Sequence, residues 1–327
     1  MSIKWDEQVV LVTGGTGSFG RKFIEIMLNR YQPRKLIVFS RDELKQFEMQ
    51  QLFRPERYPN IRYFIGDVRD RDRLWRAFDS VDIVVHAAAL KQVPTAEYNP
   101  LEAIKTNVLG AANIIDAAID RNVRRVIALS TDKAANPINL YGATKLCADK
   151  LFIAANVYSG AHRTRMSVVR YGNVVGSRGS VIPLFIQQRT NGTITVTDTR
   201  MTRFWITLEQ GVEFVLKCIG MMRGGEIFVP KIASMRITDL VEAVAPGCRV
   251  ELTGIRPGEK IHEVLVSEDE AHHTIEFDDM YLIRPLHPWW MSEEPWKDGK
   301  PLSDGARFAS NTNTRWLSVD ELRRLLA

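Results

Sequence analysis

The residues of this chain best suited to chemistry are Tyr141 and Lys145, a tyrosine and a lysine four positions apart. In a helix this spacing places the phenol and the ammonium group on one face. A nearby cation favours the phenolate, so we expect the pKa of Tyr141 to fall below its usual value of about 10. Such a tyrosine can exchange a proton with a sugar hydroxyl while a nicotinamide ring takes up a hydride. The pair therefore predicts a redox enzyme.

A glycine-rich loop upstream is suited to the dinucleotide. Residues 13–20 read TGGTGSFG, after an apolar run and before an amphipathic stretch. Its first spaced glycine allows a tight turn, the second lets the backbone approach a pyrophosphate, and the third lets a helix pack closely on the sheet. The amino terminus of that helix attracts the anion. We predict cofactor contacts from six residues of this loop: Gly14, Thr16, Gly17, Ser18, Phe19 and Gly20.

The end of the second predicted strand bears on the choice between NAD and NADP. An NAD site usually has a carboxylate directly at this strand end, where it holds the ribose diol. Here Ser40 occupies that place and Arg41 follows; both can hold a 2′-phosphate, with assistance from Lys45. The sequence therefore favours NADP. Asp42 leaves NAD open, because a slip of one residue would restore the carboxylate.

Acidic and small residues follow the third and fourth predicted strands. Asp67, followed by Val68, can accept a hydrogen bond from the adenine amino group, cap a helix predicted over residues 70–78, or do both. We expect His86 to be a packed residue rather than a catalyst. Three small side chains after it would let the cofactor lie flat on the backbone: Ala87, Ala88 and Ala89.

The order of the predicted elements indicates an α/β fold. Short apolar runs alternate with helical stretches in the first half of the chain, which predicts a doubly wound parallel Rossmann sheet. Ligands bind at the carboxyl ends of such strands. We predict strands over residues 9–13, 36–39, 62–65, 83–86, 125–130 and 166–170, and helices over residues 21–30 and 42–52.

This alternation stops after about residue 171. We expect residues 1–171 to form the NADP-binding domain and residues 172–283 to form mainly a smaller, C-terminal substrate-binding lobe that includes a β-prone segment at 193–197. Residues 284–327 are rich in proline and tryptophan. We predict that they form a strap on the surface or at a subunit contact, with a short helix over residues 318–326.

Composition describes an ordinary soluble protein of 327 residues, 45% hydrophobic and 25% charged. A net charge of +5 and a pI near 9.1 suit an anionic substrate, or reflect a scattered excess of lysine and arginine. No lysine-arginine block indicates nucleic acid. No apolar run is long enough to span a bilayer, and the amino terminus lacks an apolar targeting core. We therefore expect a cytoplasmic protein that binds neither nucleic acid nor membrane.

Cysteine and histidine spacing gives no sign of a metal site. Cys147, Cys218 and Cys248 form no CxxC pair, and their number and spacing fit neither zinc nor a disulfide framework. His262, together with the adjacent histidines at 272 and 273, shows no ligand spacing. We therefore predict a reducing compartment and no metal.

Several of these motifs together resemble the extended short-chain dehydrogenase/reductases: the glycine loop, residues 86–89, Asn107, Thr131 and the Tyr141/Lys145 pair. A closer similarity is to the inverting UDP-N-acetylglucosamine 4,6-dehydratases, which act first in pseudaminic acid synthesis. It covers about residues 5 to 285 and is carried by five segments: FSRDELKQFE (39–48), AALKQVP (88–94), LSTDKA (129–134), RYGNVVGSRGS (170–180) and MTRFW (201–205).

The resemblance implies a substrate, a cofactor and a reaction. UDP-N-acetylglucosamine would bind in the smaller lobe, and a tightly bound NADP would be regenerated in each turnover. The C4 hydroxyl is first oxidised. The C5 proton is then removed while water leaves from C6. Finally the hydride returns to C6, and C5 is reprotonated on the opposite face.

The resemblance also implies roles for the catalytic residues. Tyr141 would be the base for the C4 hydroxyl, Lys145 would lower its pKa and bind the nicotinamide ribose, and Thr131 would hydrogen-bond the C4 oxygen. Asp132 would be the acid that expels the C6 hydroxyl. Lys133 would be the C5 acid/base, after neighbouring cations and burial have lowered its pKa.

Further residues are implied to bind the sugar nucleotide. Asn173 would contact it directly, and Arg178 is available to the diphosphate. Arg256 and Glu259 would hold the uridine end, because arginine suits phosphate oxygens and glutamate suits ribose hydroxyls; a solvated ion pair in a turn is the alternative. Lys91 would reach the sugar or the phosphate.

Two roles stay open at this point. Asn107 either orders a water or backbone near Lys145, as in the family, or packs between helices. Arg203 is either structural or part of the site.

Other functions also stay open. A C5-retaining dehydratase would be expected to carry glutamate where Lys133 stands, and a 4-epimerase needs no C5 base. A non-catalytic NADP-binding sensor needs no intact Tyr141/Lys145 pair. The resemblance further implies a homo-oligomer, a dimer or a hexamer.

Overall fold

The computed structural model describes residues 3–160, 162–176, 181–285 and 296–326, and its central element is one ten-stranded sheet. The strands of the protein are, in chain order, β1 (Val9–Thr13), β2 (Lys35–Ser40), β3 (Ile61–Ile65), β4 (Ile83–His86), β5 (Arg125–Thr131), β6 (Arg165–Tyr171), β7 (Asn173–Val174), β8 (Thr193–Val196), β9 (Thr202–Ile206), β10 (Ile227–Pro230), β11 (Ala233–Arg236), β12 (Arg249–Leu252), β13 (Val264–Val266), β14 (Thr274–Glu276), β15 (Met280–Ile283), β16 (Lys300–Pro301) and β17 (Phe308–Ala309).

Helices connect and cover the strands. The α-helices are α1 (Ser18–Ile26), α2 (Glu43–Leu52), α3 (Arg71–Ala77), α4 (Val93–Tyr98), α5 (Pro100–Ile104), α6 (Gly110–Asp120), α7 (Leu140–Tyr158), α8 (Val181–Arg189), α9 (Leu208–Met221), α10 (Ile237–Val244) and α11 (Val319–Leu326). Short π-helical turns lie at Met27–Tyr31 and Lys105–Leu109, and 3-10 turns at Trp5–Glu7, Asp132–Ala134 and Glu268–His273.

The strand order of the central sheet is β16-β14-β15-β10-β6-β5-β4-β1-β2-β3. The seven strands from β10 to β3 pair in parallel, whereas β15, β14 and β16 add antiparallel pairs at the other edge. Every residue of β1 is buried, as expected of a parallel strand that is covered by helices on both faces. The prediction of a doubly wound, mostly parallel α/β sheet is confirmed.

All six strands predicted for the first half of the chain are present, with ends that differ by one residue at most. The predicted helix over residues 21–30 begins earlier, at Ser18, and ends in a π-helical turn. Its N-cap is Gly17, which has no side chain to mark the start. The predicted helix near the carboxyl terminus is α11.

A second, smaller cluster of buried apolar residues lies apart from the main core. It joins β8, β9 and β11 to α8 and α10, and α11 packs on it through Leu322, which is fully buried. Residues beyond 171 therefore build this lobe. They also extend the central sheet through β10 and β14 to β16. The division of functions between the two parts of the chain stays a prediction.

Part of the predicted strap is described. Trp296 is buried and packs edge-on against Phe228 and Phe277. The other prolines and tryptophans of residues 286–295 lie outside the described residues. Within the described ranges, no helix combines the length and apolar character needed to cross a membrane.

Candidate active site

A cavity of about 1130 Å³ opens at the carboxyl ends of β1 to β5. This volume exceeds the range of about 300–1,000 Å³ that is usual for a site holding one small ligand. Residues of the glycine loop line one end and residues of the smaller lobe line the other. The cavity therefore has room for a dinucleotide and a second ligand.

The glycine loop fits a dinucleotide. Gly14 has φ +64°, and a Cβ added there would lie 2.8 Å from the backbone nitrogen of Ala88. A Cβ on Gly20 would lie 2.5 Å from the backbone of Gly15. Side chains are therefore excluded where the loop, α1 and the segment after β4 meet. All the predicted cofactor residues of the loop and of the alanine segment border the cavity.

The end of β2 bears on the choice between NAD and NADP. Ser40 is the last strand residue, pairs with Ile65 of β3, and its Oγ lies 2.8 Å from Oγ1 of Thr16. Asp42 is the N-cap of α2 and accepts a hydrogen bond from the backbone nitrogen of Lys45 at 3.0 Å. The Lys45 ammonium also contacts this carboxylate. The strand therefore ends at Ser40, and Asp42 does not occupy the strand end.

Asp67 follows β3 and borders the cavity, as does Val68. Its carboxylate accepts a hydrogen bond from the backbone nitrogen of Arg69 at 3.0 Å and lies 3.5 Å from the Arg41 guanidinium. Burial alone would raise the pKa of Asp67, but the hydrogen bonds from Arg69 hold this pKa below its ordinary value. The N-cap of α3 is Asp70, so the helix-cap role considered for Asp67 is wrong.

His86 is buried at the end of β4, as predicted, with 1% of its surface exposed. Its Nδ1 lies 2.8 Å from Oγ1 of Thr13. Burial, with a smaller effect of the Lys145 charge, lowers the pKa of His86 to about 3. The imidazole is therefore a neutral packing group.

Tyr141 and Lys145 lie one turn apart on α7, and both border the cavity. Burial raises the pKa of Tyr141 to about 12, and the Lys133 ammonium offsets part of this rise. The prediction that the pKa of Tyr141 falls below 10 is therefore wrong for the protein alone. Burial lowers the pKa of Lys145 itself, and Asp149 on the next turn opposes that effect.

The first residues of α7 contact two segments that border the cavity, the loop at Gly258 and the turn after β5. Asn139 is its N-cap and accepts a hydrogen bond from the backbone nitrogen of Gly142 at 2.8 Å. The Asn139 amide also donates to the carbonyl of Gly258 at 2.8 Å. A Cβ on Gly142 would lie 2.1 Å from the carbonyl oxygen of Lys133, so the helix rests directly on the turn after β5.

We expect Asn139→Ala to lower the free energy of unfolding by about 1 kcal/mol, because an N-cap is lost. It should also weaken nucleotide-sugar binding, because the segment around Gly258 loses its tie to α7. Asp70→Ala removes the N-cap of α3 and is the matched control. Thermal unfolding and substrate titration would distinguish the two. An equal effect of both variants on substrate affinity would contradict the positioning role.

Lys133 lies in the 3-10 turn that follows β5 and points between two carboxylates. Its Nζ is 3.1 Å from Oδ1 of Asp132 and 3.3 Å from Oε1 of Glu263. Burial alone would lower the pKa of Lys133, but the two carboxylates hold this pKa above its ordinary value. The prediction that neighbouring cations and burial lower this pKa is therefore wrong. In the protein alone, the two carboxylates therefore favour the ammonium form of Lys133.

Thr131 ends β5 beside this pair. Its hydroxyl donates to Oδ1 of Asp132 at 2.9 Å, and an interaction with Thr131 is one of the effects that lower the pKa of Tyr141. Asp132 is 1% exposed, and its Oδ2 has no hydrogen-bond partner among the described residues. The predicted catalytic residues thus form one contiguous group.

Asn107 lies in the π-helical turn between α5 and α6 and is buried. Its side chain accepts from the nitrogen of Leu90 at 2.8 Å and donates to the carbonyl of Leu90 at 2.9 Å. It also donates to Oγ1 of Thr144 at 3.0 Å, next to Lys145. These contacts order the backbone of Leu90 and also join the π-helical turn to α7, so both roles stay predictions.

The predicted substrate residues Lys91, Asn173, Arg256 and Glu259 border the cavity on the side of the smaller lobe. Arg178 lies outside the described residues. No group of histidine, cysteine, aspartate or glutamate side chains in the described part of the chain could hold a metal ion.

Arg203 is 11% exposed and donates hydrogen bonds to the carbonyls of Lys260 and Ile261, at 3.0 and 2.9 Å. It also lies 3.7 Å from Glu259 and 3.9 Å from Glu263. It therefore holds the loop that carries both glutamates.

Sequence reasoning missed three charged residues around the site. Glu263 contacts Lys133, and Asp149 influences Lys145. Arg170 is fully buried between Asp149 and Glu270, at 3.9 and 2.9 Å. Only the neighbouring RPGEK segment (256–260) could have drawn attention to Glu263, because its partner lies far away in the chain.

Comparison with known proteins gives consistent matches. A model of the family described as "Polysaccharide biosynthesis protein" matches residues 10–285. The chain is 52% identical to UDP-N-acetylglucosamine 4,6-dehydratase (inverting) of Campylobacter jejuni subsp. jejuni serotype O:2, over 98% of each protein. It is 39% identical to UDP-glucose 4-epimerase of Rickettsia canadensis, over 98% of this chain and 95% of that protein. The X-ray structure of Pen from Bacillus thuringiensis superposes with a TM-score of 0.90 at 38% identity, covering 99% of this chain and 98% of Pen.

Proposed function

Because this chain belongs to the polysaccharide biosynthesis protein family, we propose that it is a UDP-N-acetylglucosamine 4,6-dehydratase that inverts C5. The product would be UDP-2-acetamido-2,6-dideoxy-β-L-arabino-hexos-4-ulose, a precursor for pseudaminic acid type sugars. The similarity to the Campylobacter jejuni dehydratase supports this assignment across nearly the whole chain.

One observation carries the proposal: the Asp132–Lys133 pair adjoins Tyr141 at the end of β5. Oxidation at C4 alone needs one base, whereas elimination across C5 and C6 needs a second base and an acid. Tyr141 supplies the first, and Asp132 and Lys133 supply the other two. A site with all three groups can carry out both reactions without moving the sugar.

The protein's side chains divide the proton transfers among themselves. Tyr141 takes the proton of the C4 hydroxyl in its phenolate form, which is a minor species in the protein alone because burial raises its pKa to about 12, and Thr131 holds the C4 oxygen. The C4 ketone then acidifies the C5 proton, which Lys133 removes in its neutral form. Asp132 gives its proton to the departing C6 hydroxyl, which leaves as water. A dinucleotide held by the glycine loop and Lys145 would supply hydride acceptance at C4 and hydride return to C6.

A 4-epimerase is the second candidate, because the Rickettsia canadensis relative carries that name. An epimerase needs no base at C5, so a half-buried lysine between two carboxylates would have no use there. A C5-retaining dehydratase would also use the cavity but would be expected to carry glutamate in place of Lys133. A sensor would bind NADP without turnover.

Product mass and chromatography together distinguish a dehydratase, an epimerase and a sensor. The purified protein is incubated separately with UDP-N-acetylglucosamine and with UDP-glucose. A dehydratase gives a product lighter by one water from UDP-N-acetylglucosamine. An epimerase gives an isomer of unchanged mass that separates by chromatography. Unchanged substrate in both reactions would favour the sensor.

We propose that the cofactor is NADP. Its contacts would be the residues predicted in the glycine loop and the alanine segment, together with Asp67 and Val68. Ser40 and Arg41 at the end of β2, with Thr16 of the glycine loop beside Ser40, support a 2′-phosphate, since Asp42 is engaged with the start of α2. Asn107 and Lys145 complete the nicotinamide end of the site. Lys91, Asn173, Arg178, Arg256 and Glu259 are proposed to bind the sugar nucleotide, in a cytoplasmic homo-oligomer.

Arg41→Ala should weaken NADP binding at least tenfold and leave NAD binding nearly unchanged. A hydrogen bond to a charged group contributes about 1.5–3 kcal/mol, and about 1.4 kcal/mol is a factor of ten. Arg71→Ala, at an exposed arginine paired with Asp116, is the control. Calorimetric titration with both dinucleotides would measure the change. Equal weakening of NAD and NADP would argue against a 2′-phosphate contact.

A further inference from the structure

Lys133 has two buried carboxylates beside it, and these carboxylates differ in their other partners. Glu263 has 2% of its side chain exposed, and its Oε1 lies 3.3 Å from Lys133 and 3.9 Å from Nε of Arg203. Asp132 has 1% of its side chain exposed, and within the described residues its ion pair is with Lys133, whereas Lys260 acts on it only through a longer-range electrostatic interaction. Glu263 thus keeps a permanent cation beside it, because arginine does not lose its proton in proteins.

This difference decides where a proton of Lys133 can go. If the ammonium gave its proton to Glu263, Asp132 would be left as a buried, uncompensated carboxylate, which is costly. If it gives the proton to Asp132, the remaining carboxylate, Glu263, still has Arg203. The second route leaves no buried charge without a partner.

We propose that Glu263 is a positioning residue, which holds the Lys133 ammonium in place and, through its pairing with Arg203, directs the lysine proton to Asp132. This inference rests on the proposed dehydratase function. The proton moves from Nζ of Lys133 to the carboxylate of Asp132, 3.1 Å away. Lys133 then has the lone pair that takes the C5 proton, and Asp132 has the proton that leaves with the C6 hydroxyl.

The transfer keeps atoms and charge in balance. The C5–H electron pair forms the C5–C6 double bond as the C6–O bond breaks. The pair of residues has the same total charge before and after elimination, because Lys133 gains the C5 proton as Asp132 gives its proton to the departing hydroxyl, which leaves as water. No further donor is required. Glu263 touches neither reacting bond in this account, so its effect is exerted through Lys133.

The pH dependence follows from the charges that face Lys133. These are Asp132 and Glu263, which stabilise the ammonium, Arg203 and Lys260, which oppose it, and the phenol of Tyr141. Glu263→Gln removes one of the two anions. Lys133 and Asp132 share one proton in the active form, and activity is lost when that proton leaves at alkaline pH. The alkaline limb should therefore move to lower pH.

The test combines a titration with a rate profile. Side-chain-labelled lysine is followed by NMR in the full-length protein, with Lys133→Met used to assign the signal. We expect the titration of Lys133 in the wild type to lie above that of an ordinary lysine. In Glu263→Gln it should fall by at least about one pH unit, since an opposite charge at this distance shifts a pKa by about 1–3. The alkaline limb of kcat for UDP-N-acetylglucosamine should fall with it.

Glu226→Gln is the matched control, because Glu226 is fully buried and binds Ser167 and backbone far from Lys133. It should lower thermal stability without moving either pH readout. A folded Glu263→Gln variant with an unmoved Lys133 titration would overturn the proposal. If that variant does not fold, the wild-type titration decides: a value at or below that of an ordinary lysine overturns it. Absence of turnover by the wild type would contradict the dehydratase function, while the NMR titration would still test the role of Glu263.

Discussion

Tyr141→Phe should reduce turnover of UDP-N-acetylglucosamine by about 10²–10⁴-fold, the usual contribution of a positioned general base. The variant keeps the ring that packs at the start of α7 and removes only the hydroxyl. Without the hydroxyl, no group is placed to take the proton of the C4 hydroxyl, so C4 oxidation stops. The later steps then have no C4 ketone to acidify the C5 proton. We therefore expect neither reduced dinucleotide absorbance nor C5 proton exchange.

Tyr63→Phe is the control for this variant. Its hydroxyl donates to the carbonyl of Phe53 at 3.0 Å, away from the cavity, so it should affect stability and not turnover. Steady-state rates and single-turnover absorbance would be measured for both variants with saturating cofactor. A Tyr141→Phe protein with C4 oxidation within a few-fold of the wild type would require another base.

Lys133→Met should uncouple the two halves of the reaction. The methionine keeps the approximate length of the side chain and removes the base, so C5 exchange and loss of water should fall by about 10²–10⁴-fold. Tyr141 is intact, and slow C4 oxidation should still appear as reduced dinucleotide absorbance. Removing the ammonium also removes a charge that lowers the pKa of Tyr141, so this oxidation should be slower than in the wild type.

Lys231→Met is a close control for the loss of a partly buried ion pair. Lys231 lies 2.7 Å from Glu276 and has 25% of its side chain exposed, the same fraction as Lys133, but it lies on another part of the fold. It should leave both half-reactions intact. Normal dehydration by Lys133→Met would show that the lysine is not the C5 base. A loss of C4 oxidation as complete as in Tyr141→Phe would show that the two half-reactions are not uncoupled by the substitution.

The parts of the structure that the sequence predicted well are those set by local pattern. Continuous apolar runs such as Val9–Thr13 and Ile83–His86 identified the parallel strands, because both sheet faces are covered and no alternation is needed. The residues after those strands then had to meet at one edge, which placed Ser40 beside the glycine loop and Thr131 in the same cavity. Local chemistry and strand order sufficed for this.

The charge states of the site were beyond prediction from local pattern. The pKa of Lys133 depends on Glu263, which lies directly before β13, and the pKa of Tyr141 depends on its degree of burial. Both depend on how the two parts of the chain close on each other. Sequence spacing placed Lys145 next to Tyr141, but it could not show that burial outweighs the effect of that charge.

The assignment of Tyr141, Asp132 and Lys133 is tested most directly by proton NMR of UDP-N-acetylglucosamine incubated with the protein in D2O. We predict a new C6 methyl signal, deuterium at C5, and ring coupling constants of the inverted 4-keto sugar. These signals report elimination, proton exchange and stereochemistry in one sample. A 4-keto methyl sugar with the C5 configuration retained would contradict the inverting role of Lys133, and an unchanged spectrum in the presence of added NADP would contradict the dehydratase function itself.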